Sequence, residues 1–428
     1  MRILVVGSGG REHSICWAIA KSSLCRELFC APGNAGISSL ASCIDIQADD
    51  IEKIVKFAKD ESIDFVIVGP ETPLVLGLTD RLIESGIKTF GPSMSAAKLE
   101  GSKAYMKNIV SRSGIPTAKY KSFTRAELAK KYISEQGAPI VIKTDGLASG
   151  KGVILCKSIS EAHEAVDKMM TEKIFGESGN EVIVEEFLTG EEVSFFVLTD
   201  GKVSIPLTSA QDYKAVGDGD IGPNTGGMGA YSPAPIMTKE LSNQVMNSII
   251  TPSVEAMAKA GTPYAGILFA GLMITENGPK LLEYNIRFGD PECQVLMRRI
   301  KSDLLPILIA ASEGTLEGQQ IEWHDVYSMI VVMAAQGYPG SYKKGGEIAG
   351  IEKAEEISDV IVFHSGTKKV NKKIIANGGR VLGVTSLANS VTQVKENVYK
   401  AVKKIKWKDG FYRNDIGWRA INLEKASK

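Results

Sequence analysis

The stretch RILVVGSGGREH, residues 2–13, decides the fold class. Four apolar residues, Ile3 to Val6, run straight into Gly7. Residues 11–22 then carry helical spacing, with Ile15, Ala18 and Ile19 on one side. The same grammar returns at IDFVIVGP (63–70), a strand ending in Gly69-Pro70, with helical spacing over 74–85. Strands that end in glycine turns and feed helices predict an α/β unit with a parallel sheet over residues 1–100.

Downstream the pattern changes. Residues 95–113 read as a helix, and Gly114-Ile115-Pro116 punctuates the chain. Short strands at 139–143, 153–156 and 181–186 flank glycine turns, so residues 117–190 are predicted to form a small α+β subdomain. Further strands follow at 193–198, 264–274 and 280–284, with helices near 239–260 and at 293–311. A new strand-rich unit begins at Val326 (SMIVVMAA, VIVFHSG, RVLGVTS) and ends in a helix at 390–405. A chain of 428 residues has room for three such units at about 150 residues each.

Composition excludes several classes. Lys+Arg and Asp+Glu are both 50, which argues against binding nucleic acid or a membrane surface by bulk charge. No apolar run is long enough for a transmembrane helix, and the run at the N-terminus is too short for a secretory signal. The six cysteines show no CxxC spacing, so free thiols are expected rather than zinc. His163, His324 and His364 have no nucleophile nearby in sequence, and structural or surface roles are expected for them. A soluble, cytoplasmic protein is the expectation. The 43 glycines exceed the roughly 30 that average usage would give. Residues 7–10, 146–152 and 217–229 hold 12 of them, which marks three loops where backbone is expected to lie against phosphate or substrate.

Five constellations carry chemistry. Gly7-Ser8-Gly9-Gly10-Arg11-Glu12-His13 sits at a strand-to-helix turn, where backbone N–H groups and the helix end attract an anion. Glu12 stands where a dinucleotide fingerprint needs glycine, so phosphate is favoured over a nicotinamide cofactor. Lys143 precedes a glycine-rich turn between two strands, containing Gly146, Gly150, Lys151 and Gly152. It fails the Walker spacing but suits a flap folded over phosphates. The strand end Glu185-Glu186-Phe187-Leu188, with Glu191-Glu192 beyond, offers backbone for a base edge and carboxylates for ribose hydroxyls. Glu283, Asn285 and Arg287 alternate after an apolar strand, giving two oxygen donors for Mg²⁺ and a fixed cation. Gln211-Asp212-Tyr213-Lys214 leads into a glycine-dense stretch at 217–229, read as a long ligand loop.

VVGSGGREH (5–13), VIKTDGLASGKGV (141–153), NTGGMGAYSP (224–233) and RFGDPECQ (287–294) together resemble the phosphoribosylamine–glycine ligase family of the ATP-grasp superfamily. The resemblance implies an N-terminal α/β substrate domain at 1–102, an ATP-grasp domain at 103–325 with its lid near 117–190, and a C-terminal domain at 326–428. It implies ATP-dependent joining of glycine to 5-phosphoribosylamine in purine biosynthesis, through glycyl phosphate, by a monomer with no nucleic-acid or membrane partner. Lys103, Lys143, Gly150 and Lys151 would meet ATP phosphates. Glu185, Glu186 and Leu188 would hold adenine, and Glu192 the ribose. Glu283 and Asn285 would ligate Mg²⁺ or Mn²⁺. Gly9, Gly10, Arg11, Glu12, Asp212, Lys214, Thr225, Gly226, Gly227 and Met228 would serve the two other substrates, with Arg287 and Asp290 near the reacting groups. Two departures stand out. The strand ILFAGLMI (267–274) supplies no acidic ligand for a second metal, and family members often show His where Tyr213 stands and Arg near Ala215, so neither position is assigned a role. The competing reading is an ATP-grasp ligase for another acid and amine.

Overall fold

A computed structural model describes residues 1–148 and 152–426. The N-terminal sheet has five parallel strands, in the spatial order Ser42–Cys43, Glu27–Pro32, Arg2–Gly7, Phe65–Val68, Lys88–Phe90. Both faces of the first strand are covered. Ile3 and Val5 pack with Ile15 and Ile19, while Leu4 and Val6 pack with Leu74 and Leu82. The chain runs outward from the central strand to one side, then returns to build the other. The topological switch point therefore lies between Gly7 and Gly69, at the carboxyl ends of two neighbouring strands.

Three expected helices are each divided in two. Residues 74–85 break at Gly77, whose φ of +86° favours glycine, leaving Glu71–Val75 and Leu78–Glu84. Residues 95–113 break at Ser102, which leaves the helical conformation and caps Lys103–Arg112 by accepting from Tyr105 N at 3.0 Å. Residues 293–311 divide into Glu292–Arg299 and Leu304–Glu313, the second capped by Asp303. The helix expected near 239–260 is continuous but contains a π-helical segment, Met246–Ile250.

The lid is a four-stranded antiparallel sheet ordered Tyr120–Phe123, Val182–Glu186, Ile140–Thr144, Val153–Cys156. It has its own core, in which Ile133 and Ala162 from its two helices meet Phe123, Ile142 and Val184. A nine-stranded antiparallel sheet spans the remainder. It runs Gly278–Asn285, Ala265–Thr275, Glu191–Asp200, Ser204–Asp212, Gly229–Ser232, Tyr327–Ala335, Arg380–Ala388, Ile361–His364, with Gly410–Phe411 also paired to Tyr327–Ala335. The strand-rich C-terminal region thus continues the sheet that carries the polar row, and Gly229–Ser232 joins the two halves. The stretch expected as one long loop contains that strand and the short pair Ala215–Gly217 and Ile221–Asn224. Of its six glycines only Gly219, Gly222 and Gly227 have positive φ.

Candidate active site

At the switch point the glycines make room for a protein carboxylate. Glu12, in the first turn of Gly10–Ile19, reaches back to accept from Gly9 N at 2.6 Å and from Arg11 Nε at 2.6 Å. A Cβ on Gly7 would stand 2.5 Å from Glu12 Cγ, and one on Gly69 2.3 Å from its Oε1. Gly10 is packed just as closely, against Gln294 and Ser365. Asp290 Oδ2 accepts from Arg11 N at 3.3 Å. The positive helix end expected to hold phosphate is therefore capped by Glu12 and Asp290. Burial works against the charge of Arg11, but Glu12, Glu71 and Asp290 outweigh it and keep it firmly cationic. Burial also pushes the Asp290 carboxyl up, yet Arg380 and Arg11 hold it below the ordinary range.

The polar row is assembled differently from its sequence spacing. The strand Gly278–Asn285 carries a bulge, since Glu283 faces Gly271 while Leu281 faces Leu272. Arg287 lies beyond the strand and turns to the N-terminal unit. It donates through Nε to Glu71 at 3.1 Å and through Nη2 to Glu100 at 3.0 Å and Asn285 Oδ1 at 3.2 Å. Nη1 donates to Phe288 O at 3.2 Å. Arg287 is thus the pivot of an ion-pair network rather than an open clamp. Glu71 and Glu100 escaped the sequence reading, although Glu71 follows a strand end at the switch point.

Glu283 makes no hydrogen bond or ion pair among the described residues. Burial raises its carboxyl, but Lys214, Lys143 and Lys103 outweigh that and hold it below the usual value. An ionised carboxylate lacking a direct partner, two residues from the Asn285 oxygen, fits a hard divalent cation completed by phosphate and water. Across the sheet stands Gly271, so that strand adds no acid. No group of three or more His, Cys, Asp or Glu suited to a metal occurs among the described residues.

On the side expected to hold the nucleotide, Glu185 is buried and points inward. It sits 2.9 Å from Lys143 Nζ and 3.1 Å from Lys107 Nζ. Lys107, missed in the sequence, lies one helical turn after Lys103, and that spacing was its available signal. Lys103 Nζ donates to Gly146 O at 3.0 Å, and Asp145 accepts from Ala104 N at 3.0 Å, so the start of the glycine-rich flap is tied to this helix. Gly150 and Lys151 lie outside the described residues. Glu186 accepts from Lys119 N at 3.2 Å, and Leu188 is buried beyond it.

Between these sides, Glu192 and Lys214 form an ion pair. Burial pushes the Asp212 carboxyl up to about 8, with Glu292 and Glu192 adding to the shift against Lys214. Glu292, quoted within the motif but given no role, accepts from Ser194 Oγ at 3.3 Å. Thr225 donates to Lys214 O through N at 2.7 Å and through Oγ1 at 2.8 Å. Its Oγ1 accepts from Gly227 N at 2.9 Å, and Met228 is fully buried. Tyr213 serves the C-terminal segment instead: its hydroxyl accepts from Gly417 N at 2.9 Å, with Arg413 and Arg419 over its ring.

The comparisons bear on the family of the whole chain. Models described as the N domain, the ATP-grasp (A) domain and the C domain of phosphoribosylglycinamide synthetase match residues 1–100, 101–293 and 328–419. A phosphoribosylamine–glycine ligase of Brucella melitensis is 54% identical over 428 residues, covering 100% of both chains. A chloroplastic one of Arabidopsis thaliana is 54% identical, covering 97% of this chain and 80% of its own. The crystal structure of phosphoribosylamine–glycine ligase from Thermotoga maritima superposes with a TM-score of 0.85 at 31% identity, covering 97% and 100% of the two chains. A biotin carboxylase from Campylobacter jejuni, 15% identical with a TM-score of 0.76 over 96% of this chain and 92% of its own, shares the fold. With all three parts matched in order and full-length relatives above half identity, this chain belongs to the phosphoribosylglycinamide synthetase family.

Proposed function

We propose that this chain joins glycine to 5-phosphoribosylamine with ATP, giving glycinamide ribonucleotide, ADP and phosphate, as a step of purine biosynthesis. The full-length relatives support the reaction. The observation that supports the assignment of roles is the Glu283 carboxylate, which has no direct partner among the described residues and lies in the field of Lys214, Lys143 and Lys103.

A glycine carboxylate is a poor acyl donor, because its leaving group would be oxide. Transfer of the terminal phosphoryl group of ATP to a carboxylate oxygen gives glycyl phosphate and ADP. Attack by the amine then forms the amide, with loss of inorganic phosphate and one proton. Phosphoryl transfer needs chiefly alignment and charge neutralisation. Lys143, Lys103 and the flap near Gly150 and Lys151 bind the phosphates, and Lys107 holds Glu185 so that Lys143 keeps its place. Glu186 and Leu188 line the adenine side, and Glu192 meets the ribose. Glu283 and Asn285 hold Mg²⁺ or Mn²⁺, which when bound neutralises phosphate charge. Arg11, Asp212, Lys214 and the Thr225–Met228 segment orient glycine and the amine. Asp290 sits at the reacting end, and Arg287 fixes Asn285. No described helix is long and apolar enough to cross a membrane. The chain is proposed to act as a monomer in the cytoplasm.

A coupled assay tests this. ADP release should need glycine and rise with 5-phosphoribosylamine. Glu283→Ala should abolish it, and full activity in that variant would overturn the assignment.

A further inference from the structure

Two side chains of the C-terminal region close on the substrate loops. Arg380 opens the strand Arg380–Ala388. Its Nη1 donates to Gly226 O at 2.6 Å, to Gly227 O at 3.4 Å and to Asp290 O, and its Nη2 lies 3.5 Å from Asp290 Oδ1. Tyr338 OH accepts from Gly226 N at 3.1 Å. Both backbone polar groups of Gly226 are therefore held by side chains more than 100 residues away in sequence. The fit is close on every side. A Cβ on Gly226 would stand 3.0 Å from Arg380 Cζ, and one on Gly227 2.5 Å from Pro291 Cδ. A Cβ on Gly379 would meet the Tyr338 ring at 2.4 Å. These three glycines let a guanidinium and a phenol approach the loop and the Asp290-Pro291 turn closely.

We propose that Arg380 and Tyr338 are positioning residues, a clamp that fixes the Thr225–Met228 segment on Asp290 and so shapes the subsite for the amine substrate. Asp290 links the clamp onward to the backbone N–H of Arg11. Among the described residues, Lys103, Lys107 and Lys143 bond neither residue of the clamp. It therefore acts on amine binding and leaves ATP binding alone. The kinetic part rests on the ligase reading above. Loss of the clamp displaces groups that orient a substrate, an error that costs on the order of 10- to 100-fold in a positioned reaction.

Arg380→Ala, Arg380→Lys and Tyr338→Phe test it in the full chain. Arg380→Ala should raise KM for 5-phosphoribosylamine by about tenfold or more while KM for ATP and the melting temperature stay near wild type. Arg380→Lys should recover part of the loss, and Tyr338→Phe should show a smaller rise. Amide exchange at Gly226 and Gly227 should quicken in Arg380→Ala and Tyr338→Phe whether or not the wild-type chain ligates glycine. Wild-type KM values in Arg380→Ala, equal rises in both KM values, or unchanged exchange would overturn the clamp. A wild-type chain inactive with glycine would instead overturn the ligase reading, and exchange would still decide the clamp.

Discussion

At the scale of single residues, Glu185 shows how charge is distributed in the site. One carboxylate, 2% exposed, faces two ammonium groups, those of Lys107 at 0% and Lys143 at 6%. Burial pushes Lys107 down to about 8, with Glu185 opposing the shift. Two cations sharing one anion leave an excess positive charge at a buried position, an environment suited to incoming phosphate. Removing the anion should be severe, because it leaves two buried ammonium groups unpaired. Glu185→Gln should cost about 3–5 kcal/mol in denaturant unfolding. Lys107→Met, which leaves a one-to-one pair with Lys143, should cost less, and the reverse order would contradict this account. The sequence marked Lys143 as a phosphate lysine and Glu185 as part of a strand end. It did not show that they pair, because residues 42 positions apart meet only when the lid sheet sets Val141 opposite Glu185 and Lys143 opposite Ile183.

At the scale of elements, the turn between the first strand and the first helix was legible as a turn, but not as to its occupant. Gly7 and Gly69 end neighbouring strands, and Glu12 fills the space between them while capping the helix through Gly9 N. Gly69 is the cleaner test, since its φ is not in the left-handed region. Gly69→Ala should destabilise by about 1–3 kcal/mol through overpacking alone. In a Glu12→Ala background the same change should cost much less, and a double-mutant cycle in thermal unfolding measures the difference. Additive effects would show that Gly69 serves some other contact. The same closeness explains why glycine placement marked the turn at residues 7–10 while leaving its partner open. A glycine reports that something lies near the backbone, and only the fold says whether it is Glu12, Pro291, Arg380 or a substrate.

At the scale of the whole molecule, the C-terminal region is joined to the N-terminal unit by neutral polar contacts. Asn34 Nδ2 donates to Ser8 O at 2.8 Å and to His364 O at 2.9 Å, and His364 N donates to His13 Nδ1 at 2.8 Å. Burial, with His364 beside it, pushes the His13 imidazole down to about 3, and burial pushes His364 down to about 4. Both values lie below the ordinary 6.5, so between these limits the unfolded chain binds protons that the folded chain refuses. Stability from this contact is full above pH about 6.5 and is lost as pH falls toward 4, by roughly 1.4 kcal/mol per group per pH unit at most. His13→Asn, which can still accept from His364 N, should flatten the fall of melting temperature over that range, and an unchanged slope would remove His13 from the account.

By itself the sequence determined the parallel α/β start, the small α+β subdomain, the strand-rich C-terminal region and the motifs, because these follow from local periodicity, glycine placement and the short-range chemistry of each stretch. It did not determine where helices break in space, that one antiparallel sheet runs through Gly229–Ser232 into the C-terminal region, or that Arg287 is turned toward Glu71 and Glu100. Nor did it single out Arg380 and Tyr338. Those outcomes depend on groups distant in the chain whose charges and backbone N–H groups must be satisfied once water is excluded. The physical reason is the same in each case: a residue's type restricts what it can bond, while burial in the finished fold selects the partner it does bond.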